Sequence, residues 1–571
     1  MSTVPAGTAS ARRAGLFTLL AVLAAAASLA FLVYRRKIAP AGPLAWDEGY
    51  HALHALRAAV ELREGSFLRL AYDAYRSVYW PPLHALYVGA LFLLFGATAE
   101  VARASSLPAL VAAAGLLAAS ALRTRGTAAA LVAGFGFLLS PAIPYLSGSA
   151  YLELPALALL TLSLLLYVSG RHPVLLGLSV FATYLARTNY GVLLALGLAV
   201  ALAVDAAPGR RLPPGDPRLA ARRDALRTLA ALAVPLALWF AYPPKIVHTL
   251  AALVNLPTGP SAFGAEGLLY YPRAAVRLAG SGPLLAFYVA ALVLSFSPRW
   301  RRDRNVRLVA ILALLQIVLA EISQNKLSRH ILPLAVLLPF LLGVSADDLW
   351  ARSRTAVRGA MAGVFVLLLA LQLPALAAAF RTATPRGGEA VLAAVVEKTS
   401  GSGRTVFVAS EAALVPPATC DFTLLAGGVV PLEGLGSLRT ASEQRLAESA
   451  AALPGPLARI VREEAGRWPG AASYSVYVGI PRGDAALRWT PENFPGRLAA
   501  LLTRAPVDRV VALSDPEGRS FPLTPAYLES ALSGLGFALE SSVRPSPGTA
   551  LLTFRKVMPP APGPAPGPPA P

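Results

Sequence analysis

The residues best suited to chemistry are two adjacent carboxylates, Asp47 and Glu48, in the run Trp46-Asp47-Glu48-Gly49-Tyr50-His51 just beyond a long apolar stretch. A carboxylate at a boundary between water and membrane, set against apolar walls, has its proton affinity tuned by partial desolvation. That suits it to take the proton of a hydroxyl as a general base. Asp47 also reads as the start of a helix running from about Gly49 to Glu64, whose dipole favours an acid at that place. His51 and His54 share a helical face with Asp47, and the three together could hold a divalent metal. A histidine beside a helix start is more often a hydrogen-bonding group, so a metal is not favoured. Trp46, Tyr50, Tyr72, Tyr75, Tyr79 and Trp80 read as an interfacial aromatic belt, from which one or two rings could stack on a ligand.

The elements that position these residues follow from composition. Of 571 residues, 56% are hydrophobic and only 14% charged, and the mean hydropathy is +0.57, which excludes a soluble enzyme of this length. The net charge is +20, but much of it lies between apolar stretches rather than on a solvated face, so a nucleic-acid partner is excluded. The single cysteine, Cys420, allows no intramolecular disulfide, and no Cys/His cluster has structural zinc spacing.

The first apolar run, 14–34, is long enough to cross a hydrocarbon core of roughly 30 Å. It is followed at once by Arg35, Arg36 and Lys37, which argues against a cleaved signal peptide. Further apolar stretches at 101–122, 127–146, 151–168, 174–186, 190–204, 228–242, 282–297, 306–322, 331–344 and 359–380 bring the expected number of spans to about eleven. The segment 83–95, after Pro81 and Pro82, is too short to cross and is expected to lie along the interface.

Charge tests that choice. With the N-terminus inside and 83–95 not crossing, the cytoplasmic segments hold Arg12/Arg13, Arg123/Arg125, Arg171, the arginines from Arg210 to Arg227, the cluster around Arg299 to Arg304, and Arg352/Arg354/Arg358. Arg35, Arg36 and Lys37 fall outside, against the rule. The expected fold class is therefore mainly α, a polytopic membrane domain over 1–380 with an outer loop at about 35–100. Short β-like runs at 405–409, 474–478, 509–513 and 550–554, with amphipathic stretches at 495–504 and 524–535, predict a small external α/β domain over 381–557. The Pro/Ala/Gly tail 558–571 is expected to be disordered.

The run from Trp46 to His51, then Tyr79-Trp80-Pro81-Pro82-Leu83-His84, Leu94-Phe95-Gly96 and Ala102-Arg103-Ala104-Ser105-Ser106, resembles the first outer loop of polytopic GT-C glycosyltransferases. The types it looks most like are the dolichyl-phosphate-mannose protein mannosyltransferases (glycosyltransferase family 39) and the bacterial lipid A aminoarabinose transferases. The resemblance covers roughly residues 14–345 and implies an enzyme that takes a sugar from a polyprenyl-phosphate donor. It makes Asp47 the catalytic carboxylate with Glu48 as its neighbour. It matches Glu153, in Tyr151-Leu152-Glu153-Leu154-Pro155, to a second acidic position. On the expected topology two spans separate Asp47 from Glu153, which puts both outside; a helix-capping Glu153 is the alternative.

The family's lysine before the paired prolines is absent, since Trp80 stands there. The donor phosphate then falls to Arg329, Lys326 and Arg187, for each of which snorkelling to the interface is the alternative reading. Tyr50, His51, Trp80 and His84 are candidates for acceptor or sugar contacts. The resemblance implies no required cofactor beyond the lipid-linked sugar. The partners expected are membrane lipids and an acceptor glycan, lipid or protein. The place is the cell's inner or plasma membrane, with the N-terminus cytoplasmic and the C-terminal domain external.

Two other functions compete with the transferase. A transporter or flippase for lipid-linked sugars also suits a polytopic fold, although the polar motif sits in a loop and no matching halves are evident. The other is a catalytically degenerate scaffold. The topology is directly testable: a reporter fused after Arg304 should be cytoplasmic and one after Thr399 external. Two fusions that report the same side would rule out the eleven-span reading.

Overall fold

Hydrocarbon offers the backbone no hydrogen-bond partner, so a chain this apolar must satisfy its N–H and C=O groups within helices. The computed structural model is accordingly helical through Ala379, with strands appearing only from Thr405 onward among the described residues. The structure describes residues 9–76, 81–170, 172–205, 217–243, 245–246, 264–300, 302–322, 327–381, 388–399, 405–410, 415, 417–426, 455, 459, 475–478, 493–504, 507–514, 523–546 and 549–557. The chain divides into two compact units, Met1–Ala41 with Ala58–Ala383, and Gly42–Arg57 with Thr384–Pro571.

In the first unit, Ser10–Ile38, Ala99–Thr124, Arg304–Ile322, Ser328–Arg352 and Thr355–Ala379 are long and apolar enough to cross a membrane. The chain is an integral membrane protein. A sixth span is reached if the bent pair Ala265–Ala279 and Gly282–Leu294 counts as one. The helices Pro82–Phe95, Thr127–Leu138, Glu153–Ser169, Pro173–Ala186 and Thr188–Val204 are apolar but shorter. The eleven crossings expected from hydropathy are therefore not confirmed. One reason is visible at 127–146, expected as a single span, where Ser140 and Pro141 interrupt the helix between Leu138 and Ala142.

Side-chain contacts give this unit two distinct ends. At one end Arg125 pairs with Asp303 at 2.7 Å, Arg299 with Asp348 at 2.5 Å, and Asp347 accepts from the backbone of Ala129 at 3.3 Å. The Arg304 guanidinium lies 4.3 Å from the ring centre of Tyr167 there. Helix Ser106–Thr124 packs beside Glu153–Ser169, and Arg123 donates to Ser169 at 2.6 Å, so both helices finish at this end and begin at the other. Between the ends, helices approach closely across small residues: a Cβ on Gly343 would come 2.5 Å from the carbonyl oxygen of Ala129, and one on Gly136 3.0 Å from Pro339.

The opposite end is tied by Lys37, 6% exposed, in the π-turn Tyr34–Ile38 that finishes the first helix. Its ammonium donates to the carbonyls of Tyr145 and Ala379, each at 3.0 Å, and lies 4.9 Å from the Tyr145 ring centre. Both carbonyls belong to the last turns of short helices, Ala142–Ser147 and Leu373–Ala379, where a cation complements the helix dipole. Tyr34 donates to Glu100 at the same end, so the chain between them leaves and returns to one end of the bundle. Lys37, which defied the charge rule, has a structural employment that a charge count does not register.

In the second unit a five-stranded sheet has the order β2-β1-β3-β5-β4, with β1 Thr405–Ser410, β2 Ser475–Val478, β3 Arg509–Ser514, β4 Phe537–Ser546 and β5 Thr549–Lys556. β1 is parallel to both β2 and β3, while β5 is antiparallel to β3 and β4. Alternation along the strands builds two cores. Val406, Val408, Val510 and Ala512 meet Phe494, Leu498, Leu528 and Leu532. Phe407, Val511 and Leu513 meet Val391, Val395, Cys420 and Leu424 on the other face. The sheet thus lies between two helical layers, and the lone cysteine is a buried core residue.

Replacing Lys37 by Met removes two charged hydrogen bonds, each contributing about 1.5–3 kcal/mol. Lys37→Met should lower the thermal midpoint of the solubilised protein by several degrees. A wild-type midpoint in that variant would show that the two carbonyls do not depend on Lys37.

Candidate active site

Glu153 opens helix Glu153–Ser169, where an acid in the first turn is favoured by the helix dipole and Pro155 costs no intrahelical hydrogen bond. Its side chain is 1% exposed. A carboxylate so buried requires cationic partners, and two arginines from other parts of the first unit supply them.

Arg187 stands at the corner between Pro173–Ala186 and Thr188–Asp205, in extended conformation, with φ −157° and ψ 111°. Its backbone remains in the helical ladder on both sides, donating to Thr183 at 2.8 Å and accepting from Tyr190 and Gly191 at 3.1 Å. One non-helical residue thus turns the guanidinium toward Glu153, and Nη1 reaches Oε1 at 2.7 Å. Arg329 comes from the 3-10 turn Ser328–Ile331 and brings Nε to 3.7 Å from the same oxygen. The turn is pinned by Gln316, whose amide donates to the carbonyl of His330 at 2.9 Å, and by the Tyr190 hydroxyl, which donates to that of Arg329 at 3.4 Å. Tyr190 lies 5.2 Å from the Arg187 guanidinium and Tyr151 5.6 Å from that of Arg329, ring centre to carbon.

This arrangement leaves chemistry unused. One carboxylate faces two guanidiniums in a largely desolvated setting. Neither Glu153 Oε2 nor Arg187 Nε has a hydrogen-bond partner among the described residues. The open Nε can donate to one acceptor and the open Oε2 can take one donor, such as a hydroxyl.

The other acidic pair belongs to the second unit. Helix Trp46–Arg63 begins three residues earlier than expected, so Asp47 lies inside its first turn. The capping carboxylate is that of Glu48, which reaches back to accept from the backbone of Ala45 at 2.7 Å. Gly49 lies against Thr419, whose hydroxyl donates to the carbonyl of Leu44 at 2.9 Å, seating the helix start on Pro417–Ala426. Tyr50, His51 and His84 are buried. Burial, reinforced by Arg57, pushes His54 down to about 3 from 6.5, so it stays neutral across physiological pH. Among the described residues no three His, Cys, Asp or Glu side chains are grouped to hold a metal ion, and Asp47, His51 and His54 do not converge as such a set. Trp80 and Lys326 lie outside the described residues. Tyr151 and Tyr190, not singled out from sequence, flank the two guanidiniums; the three-residue spacing from Arg187 to Tyr190 on a helix was the available signal.

No protein-family model matches the sequence, and no curated protein matches it. The fold does have solved counterparts. The crystal structure of ArnT from Cupriavidus metallidurans bound to undecaprenyl phosphate aligns with TM-score 0.52 at 16% identity, over 92% of this chain and 96% of that one. The apo form of the same protein gives TM-score 0.51 at 15% identity over the same shares. The Archaeoglobus fulgidus oligosaccharyltransferase, in complex with zinc and sulfate, aligns at TM-score 0.47 and 12% identity over 86% of this chain and 70% of that one. At these identities the likeness to ArnT shows the fold, which is of the GT-C type.

The two arginines should differ in worth. Arg187 is nearly buried and 2.7 Å from Glu153, while the Arg329 side chain is 30% exposed and 3.7 Å away. Breaking a buried pair from one side costs about 3–5 kcal/mol, and a partly exposed one much less. Arg187→Gln should therefore depress the thermal midpoint clearly more than Arg329→Gln. Equal effects would mean that Arg187 is not the principal partner of Glu153.

Proposed function

We propose that this protein is an integral-membrane glycosyltransferase that moves a sugar from a polyprenyl-phosphate carrier to an acceptor hydroxyl on the outer side of the membrane. The observation that carries the reading is the convergence of Arg187 and Arg329 on buried Glu153, with Arg187 Nε and Glu153 Oε2 lacking hydrogen-bond partners among the described residues. A sugar phosphate brings both a phosphate for the guanidiniums and hydroxyls for the open carboxylate oxygen. The fold supports the reading: the ArnT structure that aligns over 92% of this chain is bound to undecaprenyl phosphate.

The reaction is an inverting displacement. Asp47, half-buried on the outer-loop helix, accepts the proton of the acceptor hydroxyl. The acceptor oxygen bonds to the anomeric carbon as the bond from that carbon to the phosphate oxygen breaks. The electron pair leaves with the polyprenyl phosphate, whose added charge is met by Arg187 and Arg329. Glu153 holds both arginines in place and accepts from a sugar hydroxyl. Glu48 sets the direction of the helix that carries Asp47. No step passes through a metal ion. The N-terminus is cytoplasmic and the sheet-bearing unit external.

Asp47→Asn keeps the size of the side chain and leaves the Glu48 cap untouched, so the protein should insert and bind donor lipid as before. In proteoliposomes supplied with a polyprenyl-phosphate sugar, transfer should fall by roughly 10²- to 10⁴-fold, as expected for loss of a general base. Glu153→Gln should also depress transfer, by weakening the hold on both arginines. Wild-type transfer in Asp47→Asn would remove Asp47 as the base, and transfer restored by excess divalent metal would assign it to metal binding instead.

A further inference from the structure

Helix Ala265–Ala279 takes no part in the transfer site as described, yet it has three distinct faces. Gly267, Tyr271, Ala274 and Leu278, spaced four, three and four residues apart, are buried in the first unit. One position back in the same rhythm, Glu266, Tyr270, Arg273 and Arg277 line a recess of about 590 Å³. The remaining side carries Leu268, Leu269 and Val276, which are 51%, 48% and 41% exposed. A helix of a soluble protein has no use for an open apolar face beside a basic one. A helix lying in a membrane interface needs both: apolar groups toward acyl chains and basic groups toward headgroups.

The geometry at its end places the helix in that attitude. Gly280, at φ +80°, ends it in the left-handed conformation that glycine adopts without strain, and Ser281 caps the next helix by accepting from Leu284 at 3.4 Å. The two helices are bent by 106°, so Ala265–Ala279 lies across the direction of the apolar helix Gly282–Leu294. It sits at the Lys37 end of the bundle, away from the Arg299 cluster, because Ser140 donates to the carbonyl of Leu278 at 2.7 Å and Gly280 lies against Pro141. Among the described residues neither Arg273 nor Arg277 forms an ion pair. Among the described residues Glu266 is the single acid in the recess, which leaves one positive charge in excess there.

We propose that this helix lies in the outer membrane interface and that the Tyr270/Arg273/Arg277 recess holds the phosphate of an anionic glycerophospholipid of the surrounding leaflet. The exposed face of Leu268, Leu269 and Val276 lies among the same lipid's acyl chains. Two guanidiniums one turn apart suit a phosphodiester, and the tyrosine hydroxyl adds a donor. The lipid is a resident partner and not the sugar carrier, so the proposal stands or falls independently of the transferase reading.

The test is native mass spectrometry of the full-length protein from nanodiscs of equal phosphatidylcholine and phosphatidylglycerol, with the thermal midpoint recorded in parallel. Wild type should retain phosphatidylglycerol in clear excess. The double variant Arg273→Gln/Arg277→Gln should lose that excess by about 25-fold, at about fivefold per basic residue near an anionic surface. Glu266→Gln, which removes the one opposing charge, should raise it, and this second variant decides the matter should the first not fold. Unchanged phosphatidylglycerol retention in both variants overturns the proposal. So does displacement of the bound phosphatidylglycerol by an equimolar polyprenyl phosphate, which would assign the recess to the carrier.

Discussion

A carboxylate with 1% of its side chain exposed cannot stay charged without cations, and the two that answer Glu153 come from separate stretches of the chain. Glu153 begins one helix, Arg187 breaks the path between two others, and Arg329 sits in the turn that joins Arg304–Ile322 to Leu334–Arg352. One charge cluster therefore fixes the ends of five helices relative to one another. Ridge-and-groove packing alone allows a range of helix geometries. An ion cluster at one end sets the register that the apolar faces leave open.

The same end carries Lys37, whose two carbonyl partners belong to helices far apart in the first unit's sequence. The far end uses a different device, with Arg125, Arg299 and Arg352 meeting Asp303 and Asp348 in partly exposed pairs. Pairs of that kind contribute little individually. The contrast is functional as well as energetic: buried charge is concentrated where chemistry is proposed, and solvent-shared charge where loops need only stay in water.

What the sequence disclosed depended on how local each signal was. Four of the five strands lay where β-branched and aromatic runs predicted them. The fifth, Phe537–Ser546, escaped because Pro545 and the charges of Glu540 and Arg544 disguise it. It is tolerated as an edge strand, with register shifts where it leaves regular pairing. The amphipathic helix Ala265–Ala279 was missed because a search for continuous apolar runs passes over one interrupted by Arg273 and Arg277. Its four-three-four spacing was nevertheless present in the sequence. Glu48 was read as a chemical neighbour because Ala45, which it caps, is not a residue that announces a helix start. Glu153, Arg187 and Arg329 were each visible as polar residues at span ends. Their convergence on one oxygen was not, since it depends on helices far apart in sequence.

The convergence also bears on why the arginines are two. A single guanidinium would neutralise Glu153 and leave a closed, inert pair. A second one, brought to the same oxygen, gains less from the carboxylate than from the first approach and is repelled by the other guanidinium. An anion that arrives with its own hydroxyl groups can accept from the open Arg187 Nε and supply the donor that Glu153 Oε2 lacks among the described residues.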